Sequence, residues 1–500
     1  MKKYLENLKE SKVYIFIILM FSFLTYGYEI TNFTLTIDEE IWSYCDKNAI
    51  VKAWIGDGRW GIALWKAIFP TRFVLPFFNG LLAVCILTVC AVIFFMYFKS
   101  YFENKAAAVI SACVFLTMPL HTFYLMFDTF SVEVAAAYMF AILSGILSVK
   151  SCFEHNAAQK WGAFLLLCFA ISIYQSYYQV YIGMVCGALI IKIWKENGEE
   201  AILTTTKEYI FAICISIGIL AGALVMYGIV NYALQAVFGK SSYVADTYFK
   251  WGTMDPRECI QEVYRLVRAL FLDTGSIMRY HDSFQLIFVM LLIHSIVGVI
   301  LIKKRKILFL LAILGLNFSI CVNYIVLGGA TPLRTLQAIP VYCCIASFLF
   351  FNLSVHKFWK KIVVVMLLLC CLYQSAYVVQ MFYSENIRQD RDLALVNRVI
   401  MRIEELDLGE VPDYPVCFVG NHTWYNRYSI AEETLELSLF NTGQASRIYK
   451  WLSVLGYAYH APTNEQQEQA EQAALDMPKW PAQGSVDKVD DLIIVNIGNY

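Results

Sequence analysis

The chain has 500 residues, of which 59% are hydrophobic, 16% aromatic and 16% charged, with a formal net charge of −1. Water-soluble domains are roughly 45–50% apolar and about 25% charged, so this much apolar side chain cannot fit one water-soluble core. The near-zero charge excludes a bulk electrostatic pull toward nucleic acid. Fifteen cysteines lie mostly inside apolar runs, as at Cys85, Cys90, Cys168, Cys214, Cys370 and Cys371, and read as small buried hydrophobes.

In chain order, the first apolar run covers 13–29, preceded by Lys2, Lys3, Lys9 and Lys12. No small-residue cleavage site follows it, so it reads as a retained helix and not a signal peptide. A bilayer core needs about 20 apolar residues per helix. Runs of that kind recur near 73–98, 106–126, 131–149, 161–175, 177–194, 209–232, 284–302, 307–327, 335–354 and 361–381. The 161–194 stretch is too long for one span and breaks at Tyr174-Gln175-Ser176-Tyr177, which predicts a tight helical hairpin. About eleven spans are expected, hence an all-α polytopic membrane protein.

The connections fix an expected orientation. With the N-terminus inside, the inner connections carry Lys99 and Lys105, then Lys150 and Lys160, then Lys192, Lys195 and Lys207, then Lys303-Lys304-Arg305-Lys306, then Lys357, Lys360 and Lys361. The short outer connections at 127–131, near 175 and at 328–334 contain one basic residue between them, Arg334. That asymmetry is the positive-inside pattern. It predicts a multi-pass membrane protein with a cytoplasmic N-terminus. Residues 1–383 form the membrane part, with long outer loops at 30–72 and 233–283. Residues 384–500 form a small extracytoplasmic α/β domain, with a helix at 388–406, β-like runs at 416–419 and 492–495, and a Glu/Gln-rich helix at 464–476.

Functional groups collect on the outer face. The first outer loop reads Thr36-Ile37-Asp38-Glu39-Glu40-Ile41-Trp42, then Gly58-Arg59-Trp60-Gly61. Asp38, just after the first helix, can serve as a general base for an acceptor hydroxyl or, with Glu39, hold a divalent ion. Arg59 carries a planar fork suited to phosphate, with glycines on both sides that allow close approach. The bland alternative is a solvated acidic loop with an interfacial arginine. The next outer connection holds His121, Asp128 and Glu133. An acid at the edge of a span is a functional candidate, with helix capping as its rival. His121 is either a hydrogen-bonded interfacial histidine or a catalyst. Gln175 and Tyr177 at the hairpin break can contact sugar or belong to an interfacial aromatic belt. In the loop 233–283, Asp255 caps a helix that begins at Pro256. Its apolar side carries Val263, Leu266, Val267 and Leu270, so it should lie on the outer leaflet. Arg279 follows near the end of that loop. Arg334 either snorkels or meets a lipid phosphate.

An acidic motif after the first helix, Ile37-Asp38-Glu39-Glu40, followed about twenty residues on by Gly58-Arg59-Trp60-Gly61, resembles the bacterial type II glucosyltransferase (Gtr) family. The Gln175-Ser176 break is similar as well. The resemblance covers about residues 1–380. It implies a GT-C class membrane glycosyltransferase that moves a hexose, glucose in the first place, from a polyprenyl-phosphate sugar to a cell-surface polysaccharide such as O-antigen, or to a glycolipid. It further implies Asp38 as catalytic base, Arg59 on the donor phosphate and inversion at the sugar carbon. A divalent cation, magnesium or manganese, enters where such loops carry paired acids, and Asp38-Glu39-Glu40 departs from two aspartates. The rival class is a lipid or polysaccharide transporter or flippase, which places ionisable groups at the membrane midplane and often shows inverted repeats.

Overall fold

The computed structural model describes residues 10–44, 47–69, 74–197, 204–241, 243–272, 281–353, 357–409, 412–430, 435–442 and 444–498. Lys2, Lys3, Lys9 and Arg279 lie outside them. Nineteen α-helices are labelled here in chain order. The loop after α1 (Lys12–Thr31) folds into three short helices, α2 (Glu39–Tyr44), α3 (Lys47–Gly56) and α4 (Trp60–Ile68). Then come α5 (Phe78–Tyr101), α6 (Lys105–Leu116), α7 (Thr122–Leu125), α8 (Ser131–Phe153), α9 (Ala157–Ile173), α10 (Tyr178–Asn197) and α11 (Thr206–Phe238). The long connection after α11 holds α12 (Tyr243–Tyr248) and α13 (Pro256–Leu272), followed by α14 (His281–Leu301), α15 (Lys306–Leu327), α16 (Ala338–Phe351) and α17 (Lys357–Glu404). The tail adds β1 (Val416–Val419), α18 (Ala445–Val454), α19 (Asn464–Ala474), β2 (Val486–Val489) and β3 (Leu492–Asn496).

Among the described residues, nine helices are long and apolar enough to cross a membrane, and two shorter apolar helices, α9 and α16, account for the remaining predicted runs. The chain is an all-α polytopic membrane protein with a three-stranded sheet near its end. The hairpin is present: Tyr174 takes an extended φ of −147°, ends α9 and starts a 3-10 turn into α10. The expected single run at 106–126 is interrupted. Pro119 cannot donate to the helix ladder, and Met118 before it is extended, so α6 stops at Leu116 and a 3-10 turn precedes α7. Asp255 accepts from the backbone N–H of Arg257 at 2.7 Å, as its predicted capping role requires.

Helices approach closely where one of them carries a small residue. A Cβ on Gly145 would lie 2.4 Å from Met184, and one on Gly187 would lie 2.3 Å from Ile345. Away from these seams the apolar residues point outward. Ile217, Val225 and Ile229 of α11 are each more than half exposed, as side chains solvated by lipid are.

The largest departure from expectation is α17. The predicted helices at 361–381 and 388–406 are one continuous helix of 48 residues, crossing position 383/384 without a break. One face of its polar half is buried, with Ser384, Glu385, Arg388 and Asp392 all sealed. They are covered by the tail and by the loop after α1. Leu35 and Ile37 of that loop share one hydrophobic core with Leu395, Val399 and Ile403 of α17 and with Val416, Phe418, Ile448 and Trp451 of the tail. In the sheet, β3 is central, parallel to β1 and antiparallel to β2. The strand β2 is not foreseen, because Val486-Asp487-Lys488-Val489 lacks an apolar run.

Candidate functional site

The Ile37-Asp38-Glu39-Glu40 motif sits at the turn into α2. Asp38 adopts a φ of 79°, a left-handed conformation that aspartate tolerates better than most residues. The three acids separate there. Asp38 is about half exposed, at 46%, while Glu39 and Glu40 are fully buried. Glu39 pins two loops together: one carboxyl oxygen accepts from the Thr36 N–H at 3.0 Å and the other from the Thr129 N–H at 3.1 Å. Burial pushes its carboxyl up to about 8, with the Asp128 charge adding to it and the two backbone donors opposing it. Asp128 accepts from the Leu75 N–H at 2.6 Å and from the Asn79 amide at 3.2 Å, and burial pushes it up to about 6.

Asp38 and Glu40 share a cation that no local motif announces. Arg447, on the tail helix α18, donates from one terminal nitrogen to Asp38 and from the other to Glu40, each at 2.7 Å. Its Nε donates to Gln444 at 2.8 Å. Burial pushes the Glu40 carboxyl up against the pull of the guanidinium. Two carboxyls thus compete for one guanidinium, and Asp38 is the solvent-facing member of the pair. Only its Oδ1 is engaged among the described residues. These acids do not fit a divalent ion as they stand. Arg447 already occupies one oxygen of each of Asp38 and Glu40, and both Glu39 oxygens accept from backbone donors.

The Gly58-Arg59 turn is built for close approach. Gly58 has a φ of +76°, and a Cβ there would meet the Tyr227 hydroxyl at 2.6 Å and the Gln175 amide at 3.0 Å. Those two side chains hold the turn: Gln175 donates to the Asp57 carbonyl at 3.0 Å, and Tyr227 donates to the Gly58 carbonyl at 3.0 Å. Arg59 projects from the turn between two rings, with its guanidinium carbon 4.9 Å from the Tyr174 centroid and 5.6 Å from that of Trp54. Its buried Nε has no hydrogen-bond partner among the described residues. An oxyanion reaching this fork would satisfy that N–H.

A continuous run of rings joins the two motifs. Trp42, one turn after Asp38, stacks on Trp54 at 4.8 Å. Trp54 meets Phe130 edge-on at 5.7 Å, Phe130 stacks on Phe127 at 5.0 Å, and the Arg334 guanidinium lies over Phe127 at 5.9 Å. Tyr248 of α12 lies within electrostatic reach of both Arg334 and Tyr174. These ring contacts connect the segments that carry Asp38, Arg59 and Arg334, and Gln175 braces the turn before Arg59. The other candidates are buried and held by internal contacts. His121 is buried, with Nε2 2.9 Å from the Phe115 carbonyl and Nδ1 3.2 Å from the Tyr124 hydroxyl. Tyr177 is buried and donates to the Val134 carbonyl at 2.8 Å. Glu133 is buried against Lys66 at 3.1 Å.

The family described as Glucosyl transferase GtrII matches residues 27–351. That span begins before Asp38 and ends after Arg334, and it leaves out the whole of α17 and the tail. Comparison with curated proteins and with solved structures returned no match.

Proposed function

The chain belongs to the GtrII glucosyltransferase family, and from that premise we propose that it moves a hexose, glucose in the first place, from a polyprenyl-phosphate donor to a surface polysaccharide or glycolipid at the outer face of a bacterial cell membrane. The observation that carries this reading is that one run of aromatic contacts connects the segments bearing Asp38, Arg59 and Arg334. A base and phosphate-binding cations are the groups that direct displacement from a sugar phosphate uses. The amphipathic helix α13 and the apolar spans suit a donor delivered through the bilayer.

In the proposed reaction the free oxygen of Asp38 takes the acceptor hydroxyl proton. The acceptor oxygen forms its bond to the anomeric carbon while the bond from that carbon to the phosphate oxygen breaks. The leaving polyprenyl phosphate keeps the electron pair, and Arg59 and Arg334 hold its growing charge. Attack opposite the leaving group inverts the anomeric carbon. Arg447 grips the other oxygen of Asp38 and sets its direction, so it acts as a positioning residue. In proteoliposomes, the full chain should transfer glucose from polyprenyl-phosphate glucose and not from a nucleotide sugar. Asp38→Asn should slow transfer by about 100-fold or more, the usual contribution of a general base. A folded, membrane-inserted Asp38→Asn protein that transfers at the wild-type rate would show the base to be elsewhere.

A further inference from the structure

Outside the segment matched by the family, the tail contains a cleft of about 420 Å³. It lies beyond the carboxyl end of β1, between α18 and α19. Crevices outside the carboxyl ends of parallel strands are the usual ligand sites of such sheets, and β1 and β3 run parallel. A volume of this size falls in the roughly 300–1,000 Å³ range of small-ligand sites.

The chemistry of the walls is selective. The floor is apolar, made by Phe418, Phe440 and Ile448. Asn421, Gln444, Gln467, Glu471 and Gln472 supply the polar atoms. Two of these atoms, Asn421 Oδ1 and Gln467 Oε1, are buried with no hydrogen-bond partner among the described residues. Gln467 cannot turn its amide to relieve this, because its Nε2 donates to the Phe418 carbonyl at 3.0 Å and to Glu471 at 3.3 Å. Buried acceptors without donors are costly unless a ligand supplies the hydrogen. Among the described residues no lysine or arginine lines the cleft. It therefore asks for a neutral, hydroxyl-rich partner and disfavours phosphate.

The cleft is also wired to the reaction centre. Helix α18 contributes Ala445 and Ile448 to the wall, and Gln444 just before it accepts from Arg447, whose other nitrogens reach Asp38 and Glu40. We propose that this cleft binds neutral sugar residues of the acceptor glycan and so presents the glycan to Asp38. This inference rests on the glycosyl-transfer reading above and supplies the acceptor subsite that reading lacks.

The test uses the full-length protein in nanodiscs. The probe is the neutral oligosaccharide fragment released by mild acid from the surface glycan of cells that lack this protein, with inorganic phosphate as competitor. The variants are Asn421→Ala with Gln467→Ala, and, because that pair loses an internal bond, Gln472→Trp, which fills the mouth from an exposed helix position. Fragment binding should be weakened about tenfold in either variant, the loss expected when about one well-placed hydrogen bond's worth of affinity disappears. Asp38→Asn should bind like the wild type, and phosphate should not compete. The acceptor KM should rise in parallel. Wild-type protein that does not bind the fragment, variants that bind equally well, or competition by phosphate would each overturn the proposal. Binding without sugar transfer would instead sink the transferase reading and spare the cleft. Transfer with an unchanged acceptor KM in both variants would do the reverse.

Discussion

Three adjacent acids behave differently because of where their backbone places them. Asp38 faces solvent at 46% exposure, whereas Glu39 and Glu40 are sealed. Glu39 satisfies two backbone donors, and its burial favours the protonated form up to about pH 8. Glu39→Gln should therefore leave transfer within a few-fold of wild type, while Asp38→Asn should slow it by about 100-fold or more; measured rates in the same membranes separate positioning from proton transfer. The same burial sets a pH dependence of stability. The folded Glu39 carboxyl keeps its proton to about 8, whereas an unfolded glutamate releases it near 4.3. The folded state binds more protons between those values, so stability falls as pH rises through that window and levels off above it. Asp128, pushed up to about 6, acts in the same direction over a narrower window. Thermal unfolding in detergent should thus show a lower Tm at pH 8 than at pH 5.5. Glu39→Gln should flatten that difference, and a slope of opposite sign would mean that Glu39 is ionised when folded. Gly58 carries a different constraint. Its φ of +76° and the Tyr227 hydroxyl 2.6 Å from a Cβ leave no room for alanine. Gly58→Ala should displace Arg59, raising the donor KM while the protein still inserts; an unchanged donor KM would detach Arg59 from the phosphate.

At the scale of elements, α17 and α18 explain how a loop between two greasy helices is held still. Arg388 of α17 is 5% exposed, donates to the Leu35 carbonyl at 2.6 Å, and pairs with Glu385 at 2.6 Å and Asp392 at 3.1 Å. Asp392 in turn accepts from Ser438 and Trp424 of the tail. Removing the shared partner of two buried carboxylates typically costs about 3–5 kcal/mol. Arg388→Leu should therefore loosen the segment before Asp38 and the tail together, read as protease cleavage of both in an otherwise inserted protein; intact resistance would show that the network is dispensable. This network also marks where sequence reading stops. The spans were legible because lipid imposes a length and a composition on each one. Asp38 and Arg59 were legible because polar groups at the ends of such spans stand out. The polar switch after residue 383 looks like a domain boundary, yet those groups are buried partners of a loop about 350 positions earlier in the chain. Arg447 is 409 positions from Asp38, in a helix whose pattern says only that it is amphipathic. Pairing across such a distance depends on the tertiary fold and leaves no local periodicity to read.

For the whole molecule, the shared core fixes which parts lie on one side of the membrane. Leu35 and Ile37 pack with Ile448 and Trp451, so the acidic loop, the polar half of α17 and the tail occupy one compartment. Arg334 joins them through Phe127 and Phe130. The basic connections lie at other helix ends, where Lys192 and Arg305 close on Glu196 at 2.8 and 2.5 Å. In the orientation proposed from positive-inside bias, those ends face the cytoplasm and the tail lies outside. The arrangement predicts opposite labelling of two exposed positions. In spheroplasts, a membrane-impermeant maleimide should modify Glu465→Cys at once and Lys304→Cys only after the membrane is opened, each measured against the unsubstituted chain to cancel native thiols. The reverse pattern would put Asp38 in the cytoplasm. There nucleotide sugars are abundant and a membrane-delivered donor would lose its rationale, so this single orientation measurement bears on the donor class as strongly as any active-site variant.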